Sequence, residues 1–151
     1  MDGRTIGHYE VLEKLGEGGM GAVYKARDLK LDRYVALKTI SLEHTADQAR
    51  RRRFIQEAKA ASALNHPNII TIHEIAEWEG ADYIAMEFIP GLTLRALAEQ
   101  ATDLATLMPI LRQLAEAVAV AHAAGIVHRD IKPDNVMLRP DGYVKILLNN
   151  A

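Results

Sequence analysis

Three polar residues lie close together in the segment HRDIKPDNVML, residues 128–138. Asp130 could accept a proton or orient a hydroxyl group, Lys132 could neutralise charge that develops on a phosphate, and Asn135 offers a carbonyl oxygen to a hard cation. An apolar helical pattern precedes the segment and an apolar strand pattern follows it. An arbitrary charged loop would rarely place these residue types at this spacing between two core elements, so the segment is a candidate catalytic loop.

A glycine-rich turn lies near the N-terminus, in the segment LGEGGMGAVY at residues 15–24. Glycines let a backbone approach a phosphate closely and expose its N–H groups. Dinucleotide-binding folds use a similar run, but there the glycines open a helix, whereas strand patterns lie on both sides of this one. The context therefore favours a phosphate-binding hairpin, with a simple flexible hairpin as the alternative.

Lys38 and Glu57 both fall on apolar faces of their predicted elements. Strand alternation over residues 33–40 puts Lys38 on the same face as Ala36, and helical spacing puts Glu57 on the apolar stripe that begins at Phe54. A buried carboxylate is costly unless it is paired. We therefore expect an ion pair that steadies the cation against an anionic ligand. The alternative is two surface residues whose charged ends reach water.

The hydrophobic patterning predicts an α+β fold that positions these residues. The predicted elements, in chain order, are an antiparallel meander over 9–40, a helix over 46–64 with Thr45 and Gln48 as a capping box, a hairpin around Glu79-Gly80, a break at Pro90-Gly91, a short helix around LTLRALAEQ, an amphipathic helix from Pro109 to Gly125, and a hairpin that turns at Pro140-Asp141-Gly142.

Composition excludes several classes of function. The net charge of −2 over 151 residues gives no general attraction to nucleic acid, and the run Arg50–Arg53 favours a solvated helix face over a nucleic-acid site. Cysteine is absent, which excludes disulfide scaffolds and zinc-thiolate sites. We find no signal sequence and no stretch long enough to span a bilayer, so we expect a cytoplasmic protein without a membrane segment in this chain.

Taken together, these segments resemble the protein kinase family, specifically the eukaryotic-like serine/threonine kinases of bacteria. The matching segments, in the order that the family uses, are LGEGGMGAV, VALK (35–38), RFIQEAKA with Glu57, HPNII (66–70), MEFIPG (86–91) and HRDIKPDN (128–135). Lys132, two residues after Asp130, resembles the serine/threonine branch rather than the tyrosine branch.

The resemblance implies ATP and Mg²⁺ as cofactors and a protein Ser or Thr hydroxyl as the acceptor of the γ-phosphoryl group. It implies that Asp130 is the catalytic base, that Lys132 assists, and that Asn135 is a Mg²⁺ ligand. Lys38, braced by Glu57, would hold the α- and β-phosphates. The residues expected at the ATP site are Leu15, Gly16, Gly18, Gly21, Val23, Ala36, Lys38, Glu57, Met86, Glu87, Phe88, Ile89 and Met137.

Within that set, Glu87, Phe88 and Ile89 would form the hinge whose backbone hydrogen-bonds adenine, next to Met86 as the gatekeeper. A nucleotide-binding lobe would span residues 9–89, and residues 90–151 would form the start of a helical second lobe that carries the catalytic loop and is incomplete.

The sequence departs from the family after the strand VKIL (144–147). The family places Asp-Phe-Gly there, but Leu148 occupies the position of the metal-binding Asp, Asn149 follows it, and the chain ends two residues later. We therefore expect a truncated domain that is inactive as an isolated chain and that self-associates through the helix at 107–124. A truncated or frame-shifted reading frame is favoured, and a nucleotide-binding pseudokinase or interaction remnant is the alternative.

Overall fold

The computed structural model of this chain describes residues 4–18, 21–40, 48–100, 103–126 and 135–147. The chain divides into two compact units. One unit combines Met1–Lys59 with Ile72–Phe88, and the other combines Ala60–Thr71 with Ile89–Asn150.

The first unit contains an antiparallel sheet of six strands. The strands are β1 (Thr5–Ile6), β2 (Tyr9–Gly18), β3 (Gly21–Asp28), β4 (Arg33–Ile40), β5 (Ile72–Trp78) and β6 (Ala81–Glu87), and their spatial order is β1-β2-β3-β4-β6-β5. The predicted meander over residues 9–40 is confirmed. The strand β6 lies between β4 and β5, so β4 pairs with a strand that is distant in sequence.

The predicted hairpin around Glu79-Gly80 is also confirmed. Both residues have positive φ angles, 51° and 79°, as a two-residue turn of type I′ requires. Glycine supplies that conformation at no steric cost at the second position. The turn matches the right-handed twist of the flanking strands, which fixes the register of β5 against β6.

The sheet has two faces of different character. One face carries the hydrophobic core of the unit, which consists of Ile6, Tyr9, Val11, Ala26, Val35, Leu37, Tyr83 and Ala85. The opposite face, which we call the Lys38 face, carries Val23, Lys25, Tyr34, Ala36, Lys38, Ile84 and Met86, as the alternation along each strand and the pairing between strands require.

The helix α1 (Gln48–Ser62) follows the sheet in the chain. Phe54, Ala58 and Ala61 are buried, so the predicted apolar stripe is confirmed. The helix ends before Asn65, where the sequence predicts a stop. Thr45 of the predicted capping box lies outside the described residues.

The second unit contains a small sheet and two further helices. Its elements are β7 (Leu92–Thr93), α2 (Leu94–Glu99), α3 (Leu104–Ala123), β8 (Val136–Leu138) and β9 (Val144–Ile146), and the sheet order is β7-β8-β9. The predicted hairpin with its turn at residues 140–142 is confirmed, and Gly142 there has a φ of 90°.

The helix α3 begins earlier than the sequence pattern predicts. Its first residue is Leu104 rather than Pro109, and Asp103 caps it by accepting a hydrogen bond from the backbone N–H of Thr106 at 3.0 Å. Leu104 and Met108 are exposed, and the start was predicted at Pro109 because proline is acceptable in the first turn of a helix. Pro109 therefore lies inside the helix, at its sixth residue, where its missing N–H removes one intrahelical hydrogen bond.

A buried asparagine joins α3 to the β8–β9 hairpin. The side-chain amide of Asn68 donates to Gln113 Oε1 and to the carbonyl oxygen of Val144, both at 2.8 Å. The backbone N–H of Val144 donates to the same Gln113 oxygen at 2.9 Å. Because buried polar groups are costly unless satisfied, this network fixes β9 against the helix.

One face of α3 is largely exposed. Leu104, Met108 and Leu111 are exposed at 70%, 54% and 50%, whereas Ile110, Ala117 and Ala121 are buried. The helix is long and apolar enough to cross a bilayer by length and composition, so the expectation that no stretch is long enough was wrong. The core helix of a soluble protein meets the same criteria.

Candidate functional site

Lys38 is a mostly buried ammonium in the middle of a strand. It pairs with Val23 on β3 and with Ile84 on β6, so its side chain leaves the Lys38 face at the centre of the sheet. Burial lowers the pKa of Lys38 from its usual 10.5 to about 8. No carboxylate among the described residues forms an ion pair with Lys38. A buried ammonium in this state favours an anionic ligand, which would supply the missing countercharge.

The expected ion pair between Lys38 and Glu57 is not formed in the structure, because Glu57 is exposed. Successive helical residues are about 100° apart, so Glu57 lies about 60° from Phe54 around the helix axis. The buried side of α1 is centred on Phe54 and Ala58, and Glu57 lies at its margin. The helical spacing put Glu57 within the apolar stripe, but spacing alone does not show which side of the stripe is exposed to solvent.

The orientation of α1 is fixed by a different ion pair. Arg51, in the first turns of the helix, donates two hydrogen bonds to Asp82, from Nε to Oδ2 at 2.7 Å and from Nη2 to Oδ1 at 3.1 Å. Asp82 lies on β6 and is only 3% exposed. Arg51 also contacts Glu77 on β5 at 3.0 Å. A two-point contact of this kind constrains direction as well as distance, so it holds α1 in a defined rotation on the β5–β6 hairpin.

The predicted phosphate-binding turn contains two glycines that differ in what the fold demands of them. Gly21 has a φ of 146°, and a Cβ there would lie 1.9 Å from the carbonyl oxygen of Thr39, so strand pairing alone requires glycine. Gly16 would meet nothing within 4 Å. The packing of the chain therefore does not explain a glycine at position 16, whereas close approach of a ligand would. Gly18 ends β2.

Other residues expected at the ATP site share the Lys38 face. Ala36 pairs with Met86, and both are buried, at 8% and 4% exposure. Val23 lies beside Lys38 on the neighbouring strand. The sheet register thus brings Val23, Ala36, Lys38 and Met86 together. Leu15, by contrast, is exposed.

The remaining expected residues lie at the end of β6 or in the second unit. Glu87 ends β6 and Phe88 follows it, both partly buried, while Ile89 is buried at the start of the next stretch of the second unit. Met137 is on β8, where it pairs with Thr93 and Lys145. Of these residues, Glu87 and Met137 lie in strands, whereas Phe88 and Ile89 lie in the connection after β6. The roles of all four stay predictions.

The predicted catalytic loop is described only at its end. Asp130 and Lys132 lie outside the described residues, as do Leu148 and Asn149. The carbonyl oxygen of Asn135 accepts a hydrogen bond from Leu147 N–H at 2.9 Å, which ties the end of the loop to the end of β9.

The described residues do not assemble a metal site. Asn135 is the only predicted Mg²⁺ ligand within the described ranges, and those ranges hold no group of three His, Asp or Glu side chains that could bind a metal. A single amide oxygen is insufficient for a cation that prefers octahedral oxygen coordination.

One interaction on the Lys38 face was missed at the sequence level. The ammonium of Lys25 lies 4.5 Å from the centre of the Tyr34 ring and 4.9 Å from the centre of the Phe88 ring. Strand alternation from Val23 places Lys25 on this face, and that signal was available in the sequence. The contact with Phe88 depends on the pairing of β4 with β6, which local sequence does not reveal.

Comparison with known proteins identifies the family. Residues 9–147 match the family described as the protein kinase domain. The chain is 41% identical to the serine/threonine-protein kinase PrkC of Bacillus subtilis over 95% of this chain and 22% of the relative. It is also 41% identical to the serine/threonine-protein kinase pkn3 of Myxococcus xanthus over 96% of this chain and 28% of the relative. The chain thus spans about a quarter of the length of these relatives.

A solved structure shows the same fold. The kinase domain of PknI from Mycobacterium tuberculosis superposes with a TM-score of 0.86 and 30% sequence identity, covering 100% of this chain and 64% of that domain. The predicted kinase-like α+β fold is therefore confirmed. The order of the sequence motifs, the sheet and these relatives agree: the chain belongs to the protein kinase domain family, among the serine/threonine kinases of bacteria.

Proposed function

We propose that this chain binds ATP on the Lys38 face of its six-stranded sheet, as the nucleotide-binding part of a serine/threonine protein kinase domain. The observation that carries this proposal is the buried Lys38 ammonium, which has no ion-pair partner among the described residues. A nucleotide triphosphate supplies the required anion, and the small side chain of Ala36 beside it leaves room for a flat base. Residues 9–89 form the nucleotide-binding lobe in this proposal, and residues 90–151 begin the second lobe.

The reaction of the family transfers the γ-phosphoryl group of ATP to a protein Ser or Thr hydroxyl, generally with Mg²⁺. In this chain Asp130 would accept the hydroxyl proton, with Lys132 and Asn135 beside it in sequence. Leu148 stands where the family has its metal-binding Asp, and a leucine side chain cannot bind a cation. We therefore expect nucleotide binding with little catalysis. That replacement also favours a second reading, a nucleotide-binding pseudokinase that acts without phosphoryl transfer.

Titration with a fluorescent ATP analogue tests the binding site. We expect Lys38→Met to weaken binding at least about tenfold at pH 6.5, because the substitution removes the charge that faces the phosphates. Wild-type affinity should also fall as the pH rises through about 8, where Lys38 in the free protein loses its proton, whereas the affinity of Lys38→Met should not follow that titration.

Lys30→Met is the matched control, because Lys30 is an exposed lysine in the turn before β4. It should bind like the wild type. Equal affinities of the wild type and Lys38→Met, with both proteins folded by circular dichroism, would rule out the proposed site.

Phosphorylation of a generic protein substrate tests catalysis separately. We expect incorporation of labelled phosphate by the wild-type chain to be indistinguishable from that by Asp130→Asn. Robust phosphorylation that the Asp130→Asn substitution abolishes would contradict the expected inactivity and exclude the pseudokinase reading.

The proposal extends to location and partners. ATP and a protein substrate are the partners of the proposed reaction, and a cytoplasmic location would give access to both. The match to the protein kinase domain covers residues 9–147 and so includes α3, which favours α3 as a helix of the domain rather than a membrane anchor. Self-association through the exposed side of α3 remains part of the proposal.

A further inference from the structure

A cation lies between two aromatic rings at the outer end of the Lys38 face. Lys25 Nζ is within 5 Å of both ring centres, and the Tyr34 and Phe88 rings meet edge to face at 6.4 Å between centroids. An ammonium over an aromatic face is attracted by the ring quadrupole. Lys25 comes from β3, Tyr34 from β4 and Phe88 from the residue after β6, so one side chain joins three segments.

The sheet register explains how this contact forms. Lys25 pairs with Ala36, which pairs in turn with Met86. Ala36 has no side chain beyond Cβ, so the lysine stem can cross β4 towards β6. Tyr34 lies two residues from Ala36 and Phe88 two residues from Met86, so both rings lie on the same side of that path, where the lysine ammonium reaches them.

Phe88 needs such a contact because the strand pairing stops before it. The last pair between β4 and β6 is Val35 with Glu87. Beyond Glu87, ladder pairing with β4 no longer fixes the backbone. The contacts of the Phe88 ring with Lys25 and Tyr34 therefore hold the chain against the sheet one residue beyond the last strand pair.

We infer that Lys25 is a positioning residue that holds the end of β6 and Phe88 against the sheet and thereby sets the affinity for the adenine part of a nucleotide. The inference rests on the proposed function, together with the expectation from the family resemblance that the backbone at the end of β6 hydrogen-bonds adenine. Lys25 acts through Phe88 and makes no contact with the nucleotide. Each cation–aromatic contact is weak, so we expect a three- to tenfold effect on affinity.

The test compares Lys25→Met with Lys25→Arg on two ligands, ATP and adenosine. Lys25→Met keeps an apolar stem and removes the charge, so it should weaken both ligands by the same three- to tenfold factor. Lys25→Arg should retain near wild-type affinity, because a guanidinium also stacks on aromatic faces. Lys30→Met is the control for loss of a lysine charge and should change neither affinity.

Two outcomes overturn the role of Lys25. If Lys25→Met weakens ATP and leaves adenosine unchanged, the lysine acts on the phosphates by charge and not through the adenine segment. If it changes neither ligand while the wild type binds both, the contact has no effect on the site. If the wild type binds neither ligand, the proposed function fails first.

Hydrogen exchange of the nucleotide-free protein gives a readout that does not depend on binding. Amides at the end of β6 should exchange faster in Lys25→Met than in the wild type and should be unchanged in Lys25→Arg and Lys30→Met. Unchanged exchange in Lys25→Met would refute the positioning contact. A lower melting temperature without faster exchange at this strand end would indicate general destabilisation, which also refutes it.

Discussion

At the scale of single residues, the burial of the Lys38 ammonium favours binding of an anion but lowers the stability of the fold. Its folded pKa of about 8 lies below the unfolded value of 10.5, so burial penalises the charged form. By linkage this penalty is about 3 kcal/mol at neutral pH. The sign follows from proton counts: between pH 8 and 10.5 the unfolded chain binds more protons than the folded one, so stability rises with pH across that window.

Lys38→Met should therefore make the nucleotide-free protein more stable at pH 7, by up to about 3 kcal/mol. The gain should shrink at pH 10, where the folded wild type has already lost the proton. Urea unfolding of the wild type, Lys38→Met and Lys30→Met at both pH values measures this, and Lys30→Met should show no gain. A loss of stability in Lys38→Met that is the same at both pH values would contradict it.

The residue scale also shows what local sequence could and could not establish. Alternation along β4 was enough to predict that Lys38 shares a face with Ala36, because a strand has only two faces. Helical spacing was not enough to predict whether Glu57 is buried, because Glu57 lies at the margin of the apolar stripe. The rotation of α1 that exposes it depends on the contact of Arg51 with the sheet. The partner of Arg51 is Asp82, 31 residues further along the chain, and no local pattern identifies such a pair.

At the scale of elements, the contact between Arg51 and Asp82 anchors α1 to the sheet. Asp82 is almost completely buried, so removing its partner would leave a carboxylate without compensation inside the protein. The basic run at residues 50–53 therefore is not only a solvated face, since one of its members is structural.

Arg51→Ala should lower the melting temperature by several degrees or more, whereas Arg52→Ala and Arg53→Ala, which truncate exposed neighbours on the same helix, should change it little. Differential scanning fluorimetry of the three variants measures this. The double variant Arg51→Gln with Asp82→Asn should recover part of the loss, because amides can hydrogen-bond without a buried charge. Equal melting temperatures for all three single variants would contradict the anchor.

The boundaries of helices and strands could be predicted where residues close in sequence determine them. The ends of α1 and α3 and the two hairpin turns could be predicted, because Gly, Asn and Pro act within a few residues. The start of α3 was predicted too late, because Pro109 was taken as a first-turn residue whereas the helix begins at Leu104. Asp103 was the available signal, as an acceptor for the N–H of Thr106.

At the scale of the whole molecule, the sequence identified the family, because several short motifs occur in one order over most of the chain. That order is a property of the complete sequence and survives errors in any single element. The chain spans 64% of the PknI kinase domain, so the activity of its relatives does not establish its own, which the phosphorylation assay measures.

The exposed side of α3 leads to a prediction about association. Leu104, Met108 and Leu111 form an apolar stripe on one side of the helix, and exposed stripes of this kind favour contact with other molecules. We expect the apparent mass to rise with concentration in light scattering and Leu111→Glu to suppress that rise. Ala105→Glu adds the same charge to the same helix outside the stripe and should not. A concentration-independent monomer mass for the wild type would count against association.

The position of β6 between β4 and β5 has a consequence for the order of assembly. The pairing of Val35 with Glu87 joins residues about 50 positions apart, whereas β2–β3, β3–β4 and β5–β6 each close over a short turn. Closing a long loop costs entropy before any contact repays it, so docking of the β5–β6 hairpin on β4 should limit the refolding rate. Stopped-flow refolding followed by Trp78 fluorescence should accordingly slow in Ile84→Val, because Ile84 pairs with Lys38 where β6 docks on β4. If Ile84→Val instead speeds unfolding and leaves the refolding rate unchanged, the rate-limiting step lies elsewhere.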